Sequence, residues 1–394
     1  MPTDMYRRMS RPEGDGDIGR RVMIYGSTGY TGRLIARRAL ETGLEPILAG
    51  RSVERVRRQA ESQGLLWRAI RLDSPSQIAR ELRDVRVVIH AAGPFTQTSR
   101  PMLEACLLAG AHYLDIGGEL PAFLEARRRN EDAVRRGVMI VPGAGWAVTA
   151  SDCLAAHVAR LAPEAKSLRI GIARSPLLSR GTARSALGLA SSDVVIRRNG
   201  RLVSVPVGRL EKAFDYGEGA RWSMAFSWPD VLTGYHTTGV PNIEVYVDTG
   251  TLTRILAPVG ARLGEALRLP IFQPLQRLSA EILPEEPSDE ARMAARHVVV
   301  AEAEDVWRRC TCARLETIDG YSFTALSATE IARRVLGGDF EVGFQTPARV
   351  YGADFVLGME GSRREDLYAG EAVRDPVGRV WASPAPGSAA ARGF

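Results

Sequence analysis

Lysine is almost missing from this chain. Of 52 basic residues only Lys166 and Lys212 are lysines; the rest are arginines scattered along 394 residues, with no basic run interleaved with aromatics. The net charge of +6 therefore does not point to nucleic acid as a partner. Two lysines also test one reductase mechanism directly. A tyrosine four residues before either would stand at Ala162 or Gly208, so the Tyr–Lys dyad of a short-chain reductase is absent. Cysteine is scarce as well, with Cys106, Cys153, Cys310 and Cys312 giving no disulfide framework. The first 20 residues are charged and lack the apolar core of a secretory signal, so a reduced, cytoplasmic setting is expected. Cys310 and Cys312 alternate as on a strand. The five histidines, at 90, 112, 157, 236 and 297, do not combine with the cysteines into a ligand set, so no metal is expected. No apolar stretch reaches the length of a membrane span.

What the chain does have is globular. Hydrophobic content of 45% and charged content of 25% are ordinary for folded proteins, and 394 residues exceed one core, which predicts two domains with tails. Residues 21–52 read as a strand, a glycine turn, a helix and a second strand. Gly26-Ser27-Thr28-Gly29-Tyr30-Thr31-Gly32 lets the backbone approach a pyrophosphate and offers it the unpaired amides and positive dipole end of a helix. The second strand ends in Gly50-Arg51-Ser52, where a site for NAD would carry a carboxylate. A guanidinium there matches the 2′-phosphate of NADP(H), and the Ser52 hydroxyl adds a contact.

Further along, 66–72 predicts a third strand, with Asp73 able to reach the adenine side, and 85–90 a fourth. The fourth runs into Ala91-Ala92-Gly93-Pro94-Phe95, a small-residue loop placed to face the nicotinamide half of the cofactor. Helices are expected over 101–109 and 120–136, with strands through Tyr113-Leu114-Asp115 and over 138–141. Six strands alternating with helices before residue 150 make a doubly wound, parallel Rossmann domain over 21–150, within an α/β fold. Beyond it a helix over 151–161 leaves the sheet. Strands over 168–173, 203–207, 243–248, 297–303 and 310–316, the last two paired antiparallel, predict an α+β substrate or oligomerisation domain over 151–319. The small-residue helix 323–336 is expected to return to the first domain and complete it within about 320–370. Residues 1–20 and 375–394 read as flexible ends.

These segments together resemble the saccharopine dehydrogenase-like oxidoreductases, especially their trans-acting enoyl reductase branch. The likeness rests on the glycine turn, Ala49-Gly50-Arg51-Ser52, Ala91-Ala92-Gly93-Pro94-Phe95, Tyr113-Leu114-Asp115, Pro142-Gly143-Ala144-Gly145 and Ser151-Asp152. It extends to the stretch from Tyr235 to Glu244 and to Asp319-Gly320-Tyr321. It implies an NADP-dependent enzyme whose second domain covers the nicotinamide. In the family pattern an aromatic residue and then aspartate follow the Pro-Gly-x-Gly turn. This chain has Trp146-Ala147 instead, so it must do without any role of that aspartate, and a different substrate is open to it.

Hydride transfer needs a geometry and a proton donor. Tyr235, His236 and Asp115 are the catalytic candidates; Tyr113, Glu119 and Asp152 also come from strand ends or the facing domain. His236 has a side chain suited to general acid work and equally to holding a turn, while Asp115 and Asp152 also suit caps. The leading expectation is NADPH-dependent reduction of a C=C or C=N bond in a lipid-like or secondary-metabolite substrate, free or carrier-bound. An amino-acid imine reductase is the alternative, with Arg174, Arg180 and Arg184 as carboxylate ligands, and a non-catalytic NADPH-binding protein a further one. Residues 252–278 carry leucines at helical spacing among arginines, which leaves packing, a subunit contact or peripheral membrane contact open.

Overall fold

A computed structural model of the chain describes residues 21–173, 193–248, 288–371, 373–374 and 380–381. Chain order begins β1 Arg21–Tyr25, α1 Tyr30–Glu41, β2 Ile47–Gly50, α2 Val53–Gln63, β3 Trp67–Ala69 and α3 Pro75–Glu81. It continues β4 Val85–His90, α4 Phe95–Ala109, β5 His112–Asp115, α5 Leu120–Arg128, α6 Asn130–Arg135 and β6 Met139–Val141. These strands are apolar on both faces: Met23, Ile24, Ile47, Leu48, Val87, Val88 and Ile89 are all fully buried. That pattern suits a parallel sheet covered on both sides by helices.

Helix α7, Trp146–Leu161, then leads into a second, mixed sheet. Its strands are β7 Ser167–Ile172, β8 Val194–Arg198, β9 Arg201–Val205, β10 Glu211–Asp215, β11 Ala220–Ala225 and β12 Asn242–Asp248. Helix α8, Asp230–Thr238, precedes β12. After it come α9 Asp289–Ala294, β13 Arg296–Glu304, β14 Arg309–Ile318 and α10 Gly320–Leu336, then β15 Gly343–Phe344, α11 Pro347–Tyr351 and β16 Arg363–Glu371. The main path of the second sheet runs β10-β11-β12-β7-β13-β14-β16, with the β8–β9 hairpin attached to β12. Strands β13 and β14 pair antiparallel, as their alternating sequences predict.

The first sheet has the order β15-β6-β5-β4-β1-β2-β3, every pair parallel. The order reverses between β1 and β4, and a crevice at the carboxyl ends of those strands is where such sheets bind ligands. Helix α10 returns to pack along α1 and reaches β4 and β5, and β15 adds a seventh strand beside β6.

Several elements differ from the sequence reading. Helix α4 starts at Phe95 rather than 101, with Pro101 inside it. The predicted helix over 120–136 is two helices, broken at Arg129. Helix α7 begins at Trp146, directly after the β6 turn, rather than at 151. The turn expected around Tyr235 and His236 is helix α8. The β8 strand was not expected; it forms a hairpin through Asn199 and Gly200, both at positive φ, of 48° and 76°. Within the tail, Val380–Trp381 pairs with Val373–Arg374. The leader, Arg174, Arg180, Arg184 and the 252–278 stretch lie outside the described residues.

Candidate functional site

Strand β1 ends in a turn that only glycine fits. Gly26 has φ +88°, and a Cβ there would stand 2.8 Å from the Ala91 carbonyl carbon; a Cβ on Gly32 would stand 2.1 Å from the Gly26 oxygen. The amides of Gly26 and Ser27 donate to the Ala49 carbonyl at 2.8 and 3.2 Å, fastening the turn to the end of β2. Helix α1 has no side-chain cap and no acidic residue in its first turn. The Ser27 hydroxyl is fully buried without a hydrogen-bond partner among the described residues. An uncapped helix start, a glycine cradle and an orphaned hydroxyl fit the diphosphate of a dinucleotide.

At the end of β2, Arg51 is exposed and makes no hydrogen bond or ion pair among the described residues. Two arginines that the sequence did not single out reach the glycine turn. Arg33 and Arg55 both donate to the Thr28 carbonyl, at 2.8 and 3.3 Å. Thr28 and Arg55 are far apart in sequence, so no local spacing signals the pair. Ser52 caps α2 by accepting from the Arg55 amide at 3.4 Å. Asp73 is exposed and bonded to Arg71 at 2.7 Å. Tyr25 donates to the Ile70 carbonyl, and burial pushes its phenol up to about 12 against the opposing pull of Arg51. Arg51, Ser52, Asp73 and the glycine turn thus come together around the ends of β1, β2 and β3.

The next loop lies directly alongside. Ala91 donates its amide to the Tyr25 carbonyl at 2.7 Å, and the Gly26 turn abuts Ala91 and Ala92. Gly93 and Pro94 lead into α4, whose start is held by Glu119: its carboxylate accepts from the amides of Phe95 and Thr96 at 3.1 and 2.8 Å. Asp115 is buried at the end of β5 and accepts from Tyr113 Oη at 2.9 Å and from the Gly117 and Gly143 amides at 2.9 and 3.0 Å. Burial pushes its carboxyl up to about 6, and those three donors oppose the rise. Asp152 is engaged elsewhere, accepting from Thr237 and the Ala348 amide.

Residues from beyond the first sheet face these loops. Trp146 donates its amide to Thr324 and its indole N–H to Thr317, and its ring lies 4.8 Å from that of His297. His297 is buried, and that burial lowers its basicity against the opposing pull of Asp319. Tyr30 meets Tyr321 edge-on at 5.1 Å. Tyr235 and His236 have their contacts elsewhere. Tyr235 stacks on Arg197, 4.1 Å away, and His236 packs against Phe344, with burial and then Arg349 and Arg127 pushing its imidazole down to about 4.

The fold defines a class: an α/β protein with a Rossmann-type parallel first sheet and a second, mixed sheet. Comparison with known proteins makes this more particular. Residues 22–141 match the saccharopine dehydrogenase NADP-binding domain, which supports NADP(H) as the cofactor. A putative trans-acting enoyl reductase of Mycobacterium tuberculosis is 31% identical over 140 residues, 33% of this chain and 33% of that protein. A trans-acting enoyl reductase of Mycobacterium bovis is 35% identical over 106 residues, 25% of each. These matches thus span a third or less of the curated relatives' length. In overall fold the chain is similar to apo saccharopine dehydrogenase (L-Glu forming) of Saccharomyces cerevisiae, with a TM-score of 0.60 at 13% identity, covering 89% of this chain and 100% of that one.

Proposed function

We propose that the chain is an NADPH-dependent oxidoreductase that reduces a C=C or C=N bond of a lipid-like or secondary-metabolite substrate by hydride transfer without a metal. The observation that carries this reading is the unengaged Arg51 guanidinium beside an uncapped, glycine-cradled helix start. When bound, the cofactor supplies a hydride. The chain's own part is positional. Gly26 to Gly32 would hold the diphosphate, Arg51 and Arg55 would take the 2′-phosphate, and Ala91 to Pro94 would border the nicotinamide ring. Asp115 fixes the turns after β5 and β6 against which a substrate would lie, and Trp146, Thr324 and Tyr321 face them. The enoyl reductase names of the relatives favour a C=C substrate. The test is loss of reduced-nicotinamide absorbance with α,β-unsaturated thioesters, set against an amine mixed with a 2-oxo acid. Turnover with the thioesters supports the proposal, turnover with the imine pair alone moves the reading to an amino-acid substrate, and turnover with neither contradicts reduction of both bond types.

A further inference from the structure

The loop that follows β4 is exposed at Gly93 and Pro94, so its shape has to be set from beneath. His90, the last residue of β4, is fully buried, and its ring lies among those of Tyr25, Phe95 and Tyr113, with centroids 5.4, 5.4 and 6.2 Å away. Its Nε2 stands 3.1 Å from Thr98 Oγ1, in the first turn of α4. Thr98 Oγ1 donates in turn to the Ala92 carbonyl at 2.6 Å, with the Pro94 carbonyl farther off at 3.1 Å. These contacts fix where the protons are. A hydroxyl has one hydrogen, and two oxygens 2.6 Å apart need it between them. The Thr98 oxygen therefore accepts from His90, and Nε2 carries the imidazole proton. Nδ1 is then the bare nitrogen, buried and without a partner among the described residues. Burial pushes the imidazole down to about 3, so the ring is neutral at neutral pH and keeps this tautomer.

We propose that His90 and Thr98 are positioning residues for the nicotinamide end of the cofactor: the relay from Nε2–H through the Thr98 hydroxyl to the Ala92 carbonyl fixes the Ala91–Pro94 loop in the shape that receives the ring. This rests on the dinucleotide reading of the site. A loop held in one shape spares the ring the cost of ordering it, and so acts on where the reacting carbon stands. The glycine turn has its own tie, to the Ala49 carbonyl, so the relay bears on the ring and not on the phosphates. That gives it a signature distinct from that of Arg51.

The experiment is calorimetric titration of the full chain, Thr98→Val and Thr98→Ser with NADPH and with 2′-phospho-ADP-ribose, which keeps the diphosphate and the 2′-phosphate and has no nicotinamide. Thr98→Val preserves the side chain's shape and removes the hydroxyl, leaving the Ala92 carbonyl and His90 Nε2–H unpaired. It should weaken NADPH about fivefold and leave 2′-phospho-ADP-ribose unchanged, and Thr98→Ser should restore NADPH binding. Equal losses for the two ligands, which a merely structural role would give, or no loss for either, would overturn the relay. Nitrogen-15 histidine spectra of the unsubstituted chain test the same relay without a variant, and decide the matter if Thr98→Val does not fold. A protonated Nε2 and a bare Nδ1 on His90 are expected; the opposite tautomer would overturn it. If the unsubstituted chain binds neither ligand, the dinucleotide reading fails first, and the relay has no ring to position.

Discussion

Asp115 gathers three donors at once and so ties the turn after β5 to the turn after β6. Its carboxyl, pushed up to about 6 by burial, lies above the ordinary aspartate range, so the folded state holds the proton more tightly than the unfolded chain. The sign follows. The stabilisation is complete below the unfolded value and is lost as pH rises through about 6, a difference on the order of 3 kcal/mol for this one group. Asp115→Asn keeps Oδ1 for both amides and turns the amide group toward Tyr113 Oη. Its stability relative to the unsubstituted chain should therefore rise between pH 4 and 7, as read by denaturant melts; a constant difference across that range would show that the carboxyl does not titrate there. Asp152 is raised in the same way, and His236, lowered to about 4, contributes the opposite slope, so only the difference between the two chains isolates Asp115. At this scale the sequence revealed what is local. Arg51 and the glycines declare themselves because each is chemically unusual at the end of a strand. His236 looked like a general acid because nothing in its neighbours betrays burial against Phe344 and two arginines. Arg55 did not declare itself, because it meets the Thr28 carbonyl only after folding.

Elements were legible where burial is two-sided and boundaries carry a strong signal. Strand β4 stands where its apolar run predicts, and β13 and β14 pair as expected. The failures have nameable causes. Asn199-Gly200 is a strong hairpin signal, since both central residues of such a turn need positive φ, yet the strand before it was overlooked. Proline at 101 suggested a helix start, whereas Glu119 caps the true start at Phe95 from a different strand end. Two predictions belong here. Asp319 accepts from the amides of Tyr321 and Ser322 at the start of α10, so Asp319→Ala should cost about 1 to 2 kcal/mol in denaturant melts. In Gly32→Ala the methyl would stand 2.1 Å from the Gly26 oxygen, so α1 must move away from the turn. The variant should lose dinucleotide binding and about 1 to 3 kcal/mol of stability, and full binding in it would mean that the turn is not the cradle.

Over the whole molecule, the strand order places the glycine turn, the Ala91–Pro94 loop and the Asp115 turn along one edge of the first sheet. The α10 helix, reaching from the second sheet back onto α1, brings Tyr321 and the Trp146 partner Thr324 to that same edge. The doubly wound half was readable because strand and helix periods alternate without interruption. The second sheet was readable only in part: the β13–β14 hairpin was expected, whereas β7 finds its neighbours β12 and β13 across long stretches of sequence. Everything proposed about reduction depends on one electrostatic claim, that Arg51 selects the dinucleotide carrying a 2′-phosphate. The direct measurement is calorimetric titration of the unsubstituted chain and of Arg51→Asp with NADPH and NADH. The account predicts NADPH bound well ahead of NADH, and a preference lost or reversed by a drop of about a hundredfold for NADPH alone in Arg51→Asp. Equal affinities for the two nucleotides before and after the substitution would contradict it.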